Sequence, residues 1–433
     1  MASLEEKFLY HIWDAGHLLT PLKTASGKTV QVNYQGQFNT GRGPDFRNAV
    51  IDLGGQIMRG DVEIHINSYD WKAHEHHEDP YYNNVVLHVV MNAGMQTLTV
   101  KEDGAAVEIV ELQNQLSDDI RKLLEQREPI SLQARGGFCD LLSALDADSF
   151  QSTLGAWGLR RFQNKARRFS AALILSDFDQ VLYEGIMEAL GYEKNKHNLL
   201  YLAQAIPLKD IRAWQSEGLD ALDLVAILSC SSGLLERCGS HPDERLRRLL
   251  QEAWERQPFF SRRIQIDWQL FRVRPQGHPL YRIFAMASLI HRTSGQGLME
   301  YFQDKVLSGN AEPKKVFKAF SQAFAESVLP GSEKLPRPGQ GLISNIYINI
   351  FLPISYMYGE KHSDLAAQER IIHYYKSFPA LQENHITRFM NRWLSESQSR
   401  TVSKSTLLQQ GLMELFHRYC RYHLCEECLA DRP

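Results

Sequence analysis

The sequence predicts an α+β protein in which an N-terminal mixed sheet flanked by helices precedes a large all-helical domain. Three observations carry this. Leu4, Phe8, Leu9, Ile12 and Trp13 have the spacing of an amphipathic helix. From Thr29 to about Glu111 the apolar period falls to two, and turn signals recur at Gly41-Arg-Gly, Gly54-Gly55, Asn92-Ala-Gly94 and Glu102-Asp-Gly104. Beyond about residue 115 the helical spacing returns and holds almost to the end of the 433 residues.

Taken in order, the opening helix covers 4–19, with Ser3 as N-cap and Glu6 in capping-box position. Strands follow at 29–35, 46–53, 57–67, 84–91, 97–101 and 106–111. Between the third and fourth, Ser68 to Asn83 is rich in His, Asp and Tyr and supplies a crossover as a short helix or a long functional loop. The order helix, three strands, crossover, strand makes residues 1–130 one domain. Arg135-Gly-Gly-Phe is the expected linker to an all-helical domain over 138–433.

Composition narrows the function. With 48 Lys and Arg against 51 Asp and Glu, the net charge of −3 makes no global case for a polyanionic partner, so any nucleic-acid surface must be local. The N-terminus lacks the basic start and apolar core of a secretory signal, so a cytoplasmic location is expected. The most apolar stretch, 343–358, is interrupted by Asn345, Asn349 and Pro353. It falls short of the roughly 20 apolar residues of a membrane span. A buried helix pair is expected there, and no membrane partner.

The chemistry concentrates on Gly60-Asp-Val-Glu-Ile-His-Ile-Asn67. Strict alternation sends Val62, Ile64 and Ile66 to one face and Asp61, Glu63 and His65 to the other, so three metal-competent side chains share a face. Asp45 precedes the neighbouring strand, and a hairpin about Gly54-Gly55 brings it near Glu63. The following loop adds Lys72, His74, His76 and His77, of which His74 and His77 are favoured as a second metal subsite and Lys72 as a phosphate-binding charge. His88, on an apolar strand, reads as a partnered core residue.

Pro44-Asp45 at the start of one strand and Glu63-Ile64-His65 on the next resemble the Pro-Asp…(Asp/Glu)-x-Lys signature of PD-(D/E)XK, or restriction-endonuclease-like, nucleases. The resemblance covers about residues 1–110. It implies a core of helix, three strands, helix and strand, with Asp45 and Glu63 holding Mg²⁺ or Mn²⁺ and the Ile64 carbonyl completing the shell. Asp61 is a further possible ligand. His65 stands in the place of the Lys, as the residue that orients or deprotonates the attacking water, and imidazole shifts the preferred ion towards Mn²⁺, Fe²⁺ or Zn²⁺. In that superfamily an acid of the first helix sometimes joins, which makes Glu5 or Glu6 a further candidate. The blocks Asn39-Thr-Gly-Arg-Gly-Pro-Asp-Phe, Gly60-Asp-Val-Glu-Ile-His, His88-Val-Val and the closing cysteines also resemble a bacterial family catalogued only as a domain of unknown function.

Two features lie outside that motif. Cys420, Cys425 and Cys428 have the close spacing of zinc and iron–sulfur sites, with Cys139, His417 or His423 as fourth ligand. Arg160, Arg161, Lys165, Arg167 and Arg168 surround an apolar stripe of Leu159, Phe162, Ala166 and Phe169, a local surface for phosphate. The leading expectation is a metal-dependent phosphodiesterase acting on DNA or another nucleic acid. The alternatives are a catalytically inactive nucleic-acid-binding or scaffold protein on the same fold, and a His-rich metallohydrolase of a non-nucleic-acid substrate built on His65, His74 and His77.

Overall fold

A computed structural model describes residues 6–16, 18–117, 139, 142, 145–239, 242–257, 263–307, 309, 311–325, 335–422, 425 and 428. An opening helix α1 (Glu6–Ala15) buries Phe8, Leu9, Ile12 and Trp13. The Trp13 indole N–H donates to the Gln35 carbonyl at 3.0 Å, which ties the helix to the strands that follow. The strands are β1 (Leu22–Lys23), β2 (Thr29–Tyr34), β3 (Gln37–Phe38), β4 (Phe46–Leu53), β5 (Gln56–Asn67), β6 (Val85–Asn92), β7 (Leu98–Val100) and β8 (Ala106–Glu111). The six strands expected from the alternation are all present, and two short ones join them.

Among the described residues these form one mixed sheet in the order β1-β2-β4-β5-β6-β8-β7, with β3 beside β4. β2, β4 and β5 run as an antiparallel meander. β5 and β6 are parallel, which requires the crossover over 68–84. That crossover holds α2 (Asp70–Ala73) and a 3₁₀ turn at Pro80–Tyr82. From Gly60 to His65 every residue of β5 is buried, so the acids and imidazole stand inside the protein. Parallel pairing with β6 puts β5 in mid-sheet, where both faces are covered. At Gly60 a Cβ would lie 2.6 Å from the Asn84 carbonyl oxygen, so the closest approach of the two chains admits glycine.

The remainder is helical, and the chain is α+β. It divides into two compact units, 1–161 with 384–399 and 410–433, and 162–383 with 400–409. The expected linker at 135–138 lies outside the described residues. Phe162, Phe302, Phe320, Tyr347, Phe351 and Tyr375 form the centre of the helical unit, with the Phe320 and Phe351 rings stacked 4.8 Å apart. Where a helix pair was expected over 343–358, the structure has Gln340–Ile346, a π-turn at Tyr347–Phe351 and Leu352–Lys361 in direct succession. Pro353 is the second residue of the last piece, just after the π-turn. No helix among the described residues is long and apolar enough to cross a membrane. In the first unit the C-terminal segment docks on α1: Arg421 pairs with Asp14 at 2.6 Å, and His11 Nδ1 lies 3.1 Å from the Arg418 carbonyl.

Candidate metal centre

The centre begins with an irregularity. β4 pairs with β5 as Phe46↔Val62 and then Ala49↔Gly60, so β4 carries one extra residue, and Asn48 takes a left-handed φ of 57° to absorb it. The carboxylate of Asp61 clamps this bulge by accepting the Asn48 backbone N–H at 3.0 Å. Just before the bulge, Asp45 Oδ2 accepts the Ile64 N–H and the Asp45 N–H donates to Glu63 Oε2, both at 3.0 Å. The two acids are locked together through each other's backbone.

Imidazoles close round the other oxygen of Glu63. Its Oε1 lies 3.1 Å from His76 Nε2 and 3.5 Å from His65 Nε2. His65 Nε2 is 3.2 Å from His74 Nδ1. One ligand atom from each of His65, His74 and His76 falls within a single 4.8 Å group. Behind them, His65 Nδ1 meets His88 Nε2 at 2.9 Å, and His88 Nδ1 meets the Thr99 hydroxyl at 2.8 Å. Trp71 and Tyr82 wall the group, Tyr82 stacked on His76 at 3.8 Å and Trp71 against His88 at 5.2 Å. β5 thus supplies Glu63 and His65, the crossover His74 and His76, and β6 and β7 the backing.

Burial sets the charges. It pushes the Asp45 carboxyl up to about 8, with the charge of Glu63 adding to the rise and the Ile64 N–H and Tyr10 hydroxyl opposing it. Glu63 is likewise pushed up to about 8, chiefly by burial, against the Asp45 N–H. Burial pushes His65 down to about 2 and His88 to about 3, and lowers His76 as well. Among the described residues, neither Asp45 nor Glu63 ion-pairs with a lysine or arginine. Buried acids with raised affinity for protons, beside neutral nitrogen lone pairs, are a donor set that a divalent cation fits, because the cation offsets the desolvation of both acids. Oxygen donors at Asp45 and Glu63 suit Mg²⁺ or Mn²⁺, and the imidazoles suit softer ions.

The expected residues divide. Asp45, Glu63, His65 and His74 come together. Asp61 shares the β5 face, but its carboxylate faces the bulge. His77 pairs with Glu78 at 3.3 Å and lies outside the three-imidazole group, and Lys72 is exposed. The place given to His77 belongs to His76, which is 8 % exposed where His74 is on the surface. From α1, Tyr10 hydrogen-bonds Asp45, and Glu6 feels the fields of His74 and His76, so the helix faces the centre through an i, i+4 pair. Tyr10 and Thr99 carried no sequence signal beyond falling on a helix and a strand.

The basic helix 147–173 has its cations largely engaged. Arg161 reaches Gln410 at 2.8 Å and Glu414 at 3.3 Å, Arg168 pairs with Glu188, and Arg160 lies over the Trp157 ring. Lys165 is half-buried, and Arg167 alone of the five is fully exposed. Two of the five expected cations, Arg161 and Arg168, are thus held in ion pairs. Of the cysteines, Cys420 has Cys428, Cys139 and Cys425 as charged-form neighbours, and burial with these thiols pushes its own thiol up. Residues far apart in the chain thus influence one another electrostatically, with Cys428 buried and Cys425 exposed. His417 Nδ1 faces Arg421 at 3.5 Å, and His423 lies outside the described residues.

A family model described as "Protein of unknown function (DUF2851)" matches residues 6–385. Comparison with curated proteins gave no match, and neither did comparison with solved structures.

Proposed function

The chain belongs to the family of unknown function DUF2851, and we propose that its N-terminal unit is a metal-dependent phosphodiesterase of PD-(D/E)XK type that cleaves DNA or another nucleic acid. The observation that carries this reading is the pairing of Asp45 and Glu63 through reciprocal backbone hydrogen bonds across adjacent strands. The order of helix, meander, crossover and parallel strand supports it, as does Ile64 in the slot between the second acid and the residue standing for the Lys.

Asp45 and Glu63 would hold the ion, Mg²⁺ or Mn²⁺, with Glu6 nearby on α1. When bound, the ion supplies Lewis-acid activation of water and offsets charge on the phosphate. This chain's own residues do the rest. The Ile64 and Asp45 N–H groups fix the carboxylate rotamers, and the Tyr10 hydroxyl holds Asp45 from the helix side. His65, kept neutral by burial, offers a lone pair at Nε2 and cannot supply the positive charge a lysine would.

A second reading, a metallohydrolase of a non-nucleic-acid substrate, draws on the three imidazoles and on the engagement of Arg161 and Arg168 in ion pairs. One experiment addresses both. Labelled single- and double-stranded DNA and RNA are incubated with the full chain in Mg²⁺ or Mn²⁺. Cleavage is expected in the wild type and about 100-fold less or below in Asp45→Asn and Glu63→Gln. Cleavage unchanged in both variants, or none by the wild type on any strand, would overturn the nuclease reading.

A further inference from the structure

A phosphodiester site needs positive charge, and two arginines near this one are turned elsewhere. Arg42 pairs with Asp79 at 3.0 Å, and Arg47 donates to the Arg42 carbonyl at 2.5 Å. The crossover brings nitrogen donors instead. We propose that Nε2 of His65, Nδ1 of His74, Nε2 of His76 and Oε1 of Glu63 bind one divalent transition-metal ion, Zn²⁺, Fe²⁺ or Mn²⁺, in preference to Mg²⁺. The inference rests on the metal-centre reading above and deepens it: the imidazole-held ion supplies the charge that His65 itself lacks.

The distances fit. Bonds of about 2.0–2.1 Å to a tetrahedral ion put neighbouring ligand atoms roughly 3.3–3.4 Å apart. The observed separations are 3.2 Å for His65 to His74, 3.1 Å for His76 to Glu63 and 3.5 Å for His65 to Glu63. His76 Nε2 is buried and has no hydrogen-bond partner, although Glu63 Oε1 is only 3.1 Å away. The oxygen therefore lies off the axis a hydrogen bond would need, an arrangement that leaves room for an ion between the two atoms.

Behind the ligands the tautomers are set for coordination. With its Nε2 lone pair given to an ion, His65 donates its Nδ1–H to His88 Nε2, and His88 donates its own Nδ1–H to the Thr99 hydroxyl, over 2.9 and 2.8 Å. Such a relay orients a metal-bound imidazole and raises its basicity. Glu63 then lies between two donor sets, Oε1 on the imidazole side and Oε2 on the Asp45 side. His88 and Thr99 are positioning residues in this arrangement.

The test is equilibrium dialysis of the full-length protein against Zn²⁺, with Co²⁺ as a spectroscopic probe. The wild type is expected to bind Zn²⁺ and to give the intense visible absorption of four-coordinate Co²⁺. His74→Ala and His76→Gln should weaken Zn²⁺ binding beyond the roughly 10–100-fold typical of an outer-shell loss and abolish the Co²⁺ band. Full Zn²⁺ binding in both histidine variants overturns the proposal. Should His76→Gln unfold, exposed His74 decides through His74→Ala. Zn²⁺ held by the imidazoles in a protein that cleaves no nucleic acid would sink the nuclease reading and leave this one standing.

Discussion

Asp45 and Glu63 hold each other by the backbone: the Asp45 N–H donates to Glu63 Oε2, and Asp45 Oδ2 takes the N–H of the residue after Glu63. A one-residue slip between β4 and β5 would break both bonds. The bulge at Asn48 sets that register.

The first prediction concerns pH. Asp45 and Glu63, raised to about 8 from about 4 in the unfolded chain, contribute stability that is full below pH 4 and lost as pH rises through 8. His65 and His88, depressed to about 2 and 3, act oppositely: their contribution is present above about 6.5 and lost as pH falls. Comparing Glu63→Gln with the wild type isolates one acid. In chelator, thermal unfolding should show the variant gaining on the wild type from pH 5 to pH 9. A pH-independent difference would contradict the burial of that charge.

A second prediction addresses the relay. Thr99→Val keeps the shape and removes the acceptor of the His88 Nδ1–H, so Zn²⁺ affinity measured by calorimetry should fall about 10-fold. Unchanged affinity would leave His88 and Thr99 with a packing role.

A third separates Asp61 from the centre. Asp61→Ala leaves the Asn48 N–H without its partner and should cost about 1–3 kcal/mol in urea unfolding. Metal content per chain should stay as in the wild type, and a lost ion would make Asp61 a ligand.

How far the sequence announced this centre depended on locality. The strands from 29 to 111 and the face shared by Glu63 and His65 were legible, because period two is a local property. Asp45 was legible through its place before a strand. His76 was not separable from His74 and His77, since all three stand in a loop without period, and Tyr82 stacking on one of them is a tertiary fact. The ion pairs of the basic helix were out of reach for a related reason. Its apolar stripe was correctly read from Phe162, Ala166 and Phe169, but Glu188 and Glu414, which engage Arg168 and Arg161, come from distant parts of the chain.

A fourth prediction follows from those pairs. Arg161→Ala removes the ion pair to Glu414, whose two side chains are 15 % and 9 % exposed, and should destabilise the protein by about 1 kcal/mol. Nucleic-acid affinity in a gel-shift titration should change less than twofold, whereas a large loss with stability intact would restore the helix as a phosphate surface.

The most direct test of the central claim is the metal content of the purified full-length protein, measured by mass spectrometry of the ions, for wild type and Glu63→Gln. Glu63 touches both donor sets through its two oxygens. The wild type should retain a transition metal after exhaustive dialysis, and Glu63→Gln, folded by circular dichroism, should retain at least tenfold less. Equal metal in both proteins, or none in a wild type supplied with Zn²⁺ and Mn²⁺, would contradict a metal centre built on Glu63.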